Sequence, residues 1–170
     1  FNLTAGTTYY IMLDDENTTA TTVTFNITCP TIASYDPCAN TPTISACGVS
    51  TSSSNAAGQG AWDSYGGPFG VPGQENVFKF TPANSGLYTV DVTSISGSYI
   101  DFFFKAQSVG CNATGWTYID DFIGTGSSTV FALTAGVPYY IMWDDEDQSA
   151  SSVTFSLSCP APDPCPVPWH

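Results

Sequence analysis

The chain contains no arginine and only two lysines, Lys79 and Lys105, against fifteen carboxylates. A net charge of −13 repels phosphate backbones and anionic headgroups, which sets nucleic acid and membrane surfaces aside as partners. No run of 18 apolar residues occurs, so no helix is offered for membrane insertion. The single histidine is His170, in a Pro-rich tail, which leaves a Ser–His–Asp or Cys–His device without its base. C-x-x-C is also missing, and with it the usual thiolate metal site. Paired carboxylates can hydrolyse glycosides, but in hairpin loops they are mostly just solvated. The reading is of a protein that is not an enzyme and requires no cofactor.

What is present argues for a folded chain. Aromatics make up 14% and mean hydropathy is near zero, enough for a core within 170 residues. Six cysteines among abundant Thr, Ser, Gly and Asn point to an oxidising setting, secreted or at the cell surface. The chain has no initiator Met and no signal peptide, so the expectation is mature or excised material whose export signal lies elsewhere.

Short alternating segments separated by turns predict an all-β sandwich of antiparallel strands. "NVFKFTP" sets Phe78 and Phe80 against Val77 and Lys79, and "LYTVDVTSI" sets Tyr88, Val90 and Val92 against Thr89, Asp91 and Thr93. "IDFFFKAQ" sets Ile100, Phe102 and Phe104 against Asp101, Phe103 and Lys105. "SSVTFSLS" sets Val153, Phe155 and Leu157 against Thr154, Ser156 and Ser158. Each pattern predicts an apolar inner face and a polar outer one. Turns fall at Thr81–Gly86, Ser96–Ser98, Gly124–Ser128 and Thr134–Gly136. Ser50 to Gln74 is Gly- and Ser-rich yet carries Trp62, Tyr65 and Phe69, which predicts a long ordered loop.

"YYIMLDDENTTATTVTF" from Tyr9 returns as "YYIMWDDEDQSASSVTF" from Tyr139, and at this offset of 130 residues 1–30 match 131–160 at 18 of 30 positions. The repeat predicts the boundaries. Residues 31–160 form one complete unit, 1–30 are the closing strands of a preceding unit, and 161–170 are a linker leading to a following one. Prolines at 160, 162, 164, 166 and 168 make that tail extended and stiff.

Three groups of residues are candidates for chemistry. The acidic turns Asp14–Glu16, Asp120–Asp121 and Asp144–Asp147 are either solvated hairpin loops that keep an acidic protein soluble or packed carboxylates that a calcium ion would stabilise, with Asp144 and Asp145, helped by Asp120 or Asp121, as the ligands to test. The simplest cysteine assignment is Cys38–Cys47 and Cys111–Cys159, leaving Cys29 and Cys165 to neighbouring units or to intermolecular pairs; six cysteines allow fifteen connectivities. Trp62, Tyr65, Trp116, Tyr118 and Trp143 either line a sugar- or protein-binding face or cap the ends of the core. Sequons at Asn2, Asn17, Asn26 and Asn112 read as chance matches, because the second copy replaces the first three with Ala132, Asp147 and Ser156.

These residues resemble a known family. "ENVFKFTPANSGLYTVDVTS", "YIDDFIG" and "FALTAGVPYYIMWDDED" are similar to the bacterial pre-peptidase C-terminal domain, and more closely to its cysteine-bearing variants in secreted multi-repeat proteins of the Bacteroidetes type. The matching positions are Asp36, Cys38, Cys47 and Gly48, then Phe78 and Phe80, then Asp120 and Asp121, then Leu133 to Ile141. One departure is that "LDDEN" and "WDDED" stand where the family often has "VDG". The resemblance implies a compact jelly-roll-like β-sandwich and a non-catalytic module that links, anchors or presents other domains. The expected function is therefore a structural repeat of a surface fibre or adhesin-like protein, partnered by neighbouring copies of itself. A glycan- or protein-binding accessory module of a secreted hydrolase is the first alternative, and a strand-donating polymer the second.

Overall fold

The computed structural model describes residues 7–12, 14, 22–27, 35–63, 67, 70–97 and 99–161. Cys29, Cys165, Tyr65, Phe69, the sequons at Asn2 and Asn17, Asp15, Glu16 and the tail beyond Ala161 lie outside them. The chain divides into two units, Phe1–Ala33 and Ser34–His170.

In the first unit no described residue belongs to a strand. Among its described residues Tyr10 is 95% and Met12 85% exposed, and Ile11, Val23, Phe25 and Ile27 are about half exposed.

The second unit is an antiparallel β-sandwich. Its strands are β1 Thr51–Ser54, β2 Asn76–Phe80, β3 Gly86–Ser96, β4 Ile100–Ala106, β5 Thr117–Phe122, β6 Gly126–Ser127, β7 Phe131–Leu133, β8 Tyr139–Asp145 and β9 Ser152–Ser158. The first sheet runs β2-β8-β4-β5; the second runs β1-β9-β3-β6, with β7 also paired to β3. The only helical element among the described residues is a 3-10 turn, Gln107–Val109.

The alternation read from sequence fills the space between the sheets. Phe78, Tyr88, Val90, Val92, Val153, Phe155 and Leu157 are all buried. Phe155, from the second sheet, makes edge-to-face contacts with Phe78 and Phe102 of the first, with ring centroids 5.3 and 5.2 Å apart. A bulge between Val92 and Ser94 shifts the phase of β3, so that Ile95 faces Val153.

One expectation fails. The first sheet does not have a polar outer face, because that face is covered as well. Val71, Val77, Phe103, Trp116 and Met142 form a second buried cluster, with Trp62, Tyr118 and Tyr140 packed against it. The cover comes from the connections β1–β2 and β4–β5. The first is pinned by Gly58 N–H to the Gln148 carbonyl (2.9 Å) and Gly73 N–H to the Asp145 carbonyl (3.1 Å). Gly73 lies so close that a Cβ there would sit 2.8 Å from Asp145 Cβ and from the carbonyl oxygens of Asp145 and Asp147. Glu75, buried beneath the loop, accepts the N–H groups of Ala61 and Trp62. The second connection is gathered by Lys105, which is buried on this face. Its Nζ donates to the carbonyls of Asn112 (2.7 Å) and Thr114 (2.9 Å) and lies 4.3 Å from the centre of the Trp116 ring.

The cysteine pairing also differs from the simplest assignment. Cys38 bonds Cys111 and Cys47 bonds Cys159, across Cα separations of 6.0 and 5.7 Å. Pairing nearest neighbours in sequence ignores what the sheets bring together. Gly48 N–H donates to the Leu157 carbonyl at 2.9 Å, which sets Cys47 beside the end of β9. Cys111 follows the 3-10 turn and meets the opening segment at Cys38.

Candidate functional site

The outer face of the first sheet carries an acidic row at one end. Asp101 on β4 stands directly opposite Asp121 on β5 and Asp144 on β8. Glu146 follows two residues after Asp144, and its N–H donates to the Tyr99 carbonyl at 3.1 Å. Like charges directly opposite one another on a sheet are destabilising. Neither lysine relieves them, since Lys79 and Lys105 both pair with Tyr140, four residues or about 13 Å along β8 from Asp144.

Within this row Asp101, Asp121 and Glu146 converge, and each offers a carboxylate oxygen within 4.8 Å of the others. Asp101 is only 1% exposed. Burial and the charges of Asp121, Glu146 and Asp120 push its pKa from 3.8 to about 7. Burial raises those of Asp121 and Glu146 too, helped by their acidic neighbours. Tyr118, on the same face of β5, is pushed up to about 12 by burial and the same four carboxylates. Such a group of oxygens can hold a hard cation.

The four carboxylates expected as ligands divide differently. Asp121 is in the cluster. Asp120 is engaged locally, accepting Asp121 N–H (3.1 Å) and Thr129 N–H (2.7 Å). Asp145 accepts Asp147 N–H (3.0 Å) and the Ser151 hydroxyl. Asp144 is buried and accepts Asp145 N–H (2.7 Å). Asp101 and Glu146 take their place. Glu146 was within reach as the third residue of "DDE". Asp101 was hidden because its partner is twenty residues away and a bulge between Phe102 and Phe103 sets the register.

The aromatic candidates are mostly packed. Trp143 is fully buried in the main core, where its Nε1–H donates to Ser53 Oγ at 2.7 Å. Trp116, Tyr118 and Trp62 belong to the cluster on the outer face. A separate concavity of about 440 Å³ is lined mainly by polar residues, among them Tyr35, Asn40, Ser52, Ser54 and Gln74; none of the four described aromatic candidates lines it.

The carboxyl cluster gives the cation-free unit a pH dependence of definite sign. An acid whose folded pKa is raised stabilises the fold in its protonated form. That contribution is complete below about 3.8 and is lost as pH rises through about 7. In EDTA the melting temperature at pH 5 is therefore expected to exceed that at pH 8, with Asp101→Asn flattening the slope. A slope unchanged by Asp101→Asn would show that Asp101 is not the group responsible.

No family model matches the chain, and no curated protein matches it. Among solved structures it is similar to the "GH26-CBM35 beta-(1,4)-mannanase" of Podospora anserina at 16% identity and a TM-score of 0.30, over 66% of this chain and 28% of that one. It is also similar to the pre-peptidase C-terminal domain of collagenase from Bacillus anthracis at 15% identity and a TM-score of 0.48, over 70% of this chain and 95% of that one. The all-β sandwich is read from the chain's own two sheets.

Proposed function

We propose that the chain is a stretch of a tandem array of non-catalytic extracellular modules. Each would be a disulfide-stapled sandwich joined head to tail to its neighbours in a secreted or cell-surface fibre or adhesin-like protein. One contrast carries this reading. Ile141 and Met142 are fully buried on β8 between β2 and β4, whereas Ile11 and Met12, their equivalents 130 residues earlier, are 54% and 85% exposed. A segment with the sequence of a central strand asks for a body like that of residues 31–130. The partner of residues 1–30 is then the body of a preceding repeat. Two disulfides, the acidic composition and the Pro-rich tail agree with an extracellular spacer. A cation such as calcium enters this reading as a stabiliser and not as a catalytic metal.

Imaging the native assembly, together with its intact mass under non-reducing conditions, tests the proposal. The expected result is a chain longer than 170 residues with globular units recurring about every 130 residues. A discrete native species of 18.0 kDa would overturn it. The polar concavity beside Tyr35 favours a second reading, a glycan-binding accessory module. Calorimetric titration with soluble polysaccharides separates the two, because a spacer gives no saturable heat.

A further inference from the structure

Among the described residues, four buried side-chain oxygens lack a hydrogen-bond partner: both of Asp101, Oδ1 of Asp121 and Oε1 of Glu146. They belong to three residues, Asp101, Asp121 and Glu146, each of which offers one carboxylate oxygen within 4.8 Å of the others. Folded proteins rarely leave buried acceptors unsatisfied, and four together mark a place where something else supplies the partner. We propose that Asp101, Asp121 and Glu146 bind one calcium ion on the outer face of the first sheet. This inference stands apart from the repeat reading, since it concerns a single sandwich.

Calcium takes its oxygens at about 2.3–2.6 Å, so one oxygen from each of three carboxylates within 4.8 Å of one another is close to the spacing that a single ion spans. A shared proton would serve only one or two of the four oxygens. The lysines are remote: Lys79 and Lys105 lie level with Tyr140, and Lys105 is already spent on the Asn112–Thr114 loop. Asp101, at 1% exposure, aims both oxygens into a dehydrated spot. An ion entering there must shed water, which calcium does more readily than magnesium. A donor set made only of carboxylates, with no imidazole or thiolate, disfavours zinc and copper.

The test uses the full chain, stripped with EDTA and exchanged into metal-free buffer at about pH 8, where carboxylates are ionised. Addition of about 1 mM calcium chloride is expected to raise the melting temperature by roughly 5–10 °C, with a smaller rise from magnesium. Terbium, excited through the nearby aromatics, should luminesce and be displaced by calcium. Asp101→Asn should melt above the parent in EDTA, because a buried charge with like-charged neighbours has gone, and should no longer respond to calcium. Glu146→Gln should weaken calcium binding at least about tenfold, whereas Asp63→Asn, an exposed carboxylate elsewhere, should leave it unchanged. No thermal shift and no terbium signal in the parent chain would overturn the assignment. So would an Asp101→Asn variant that responds to calcium as the parent does.

Discussion

Serine at both Cys47 and Cys159 is expected to cost the sandwich about 4–5 kcal/mol, because this bridge closes a loop of 112 residues and chain entropy scales with loop length. Replacing both cysteines leaves neither half of this bridge free to mispair. Against the 5–15 kcal/mol typical of a folded domain, the loss brings the unit close to its unfolding midpoint at ambient temperature. Urea denaturation of the oxidised parent and the double variant reads the difference directly. The bridge from Cys38 to Cys111 spans 73 residues and predicts a loss of about 4 kcal/mol. Non-reducing peptide mapping supplies the independent check. A change below about 1 kcal/mol, or peptides linking Cys38 to Cys47, would show that the chain is stapled differently.

Trp143→Ala is expected to cost about 3–5 kcal/mol, the range for removing a large aromatic from a packed core. Trp143 sits on β8 between Asn76 of β2 and Phe102 of β4, and no part of it reaches solvent. Its indole also bridges the sheets, since Nε1 donates to Ser53 on β1 of the opposite layer. Trp143→Phe keeps most of the volume but loses this bond, and a loss of about 1–2 kcal/mol is expected. The two variants together separate packing from hydrogen bonding, by chemical denaturation at fixed pH. Equal losses for both would mean that the hydrogen bond, and not the filled volume, is what matters.

The elements that alternation announced are those with one wet face. On β3 and β9, in the second sheet, the residues predicted to point inward, such as Val90 and Leu157, are buried. On β4 the same rule placed Asp101, Phe103 and Lys105 outside, and all three are buried. The clue was the unbroken Phe102–Phe103–Phe104, because a strand covered on both faces loses its alternation. What periodicity cannot carry is register between distant strands. The meeting of Asp101 with Asp121 depends on a bulge, and the pairing of Cys47 with Cys159 on two strands closing over 112 residues. The identity between residues 1–30 and 131–160 is a property of the sequence alone and needs no geometry to be seen.

The bridge between Cys47 and Cys159 also sets the path of force. Tension applied to the chain on either side of the sandwich passes from residue 47 to residue 159 through one sulfur–sulfur bond, bypassing everything between them. The chain between them, a sequence separation of 112 that would pay out about 380 Å if drawn straight, is held out of the load. While that bond is intact, the sandwich behaves under traction as a short inextensible link, and melting of its sheets adds almost nothing to its end-to-end length.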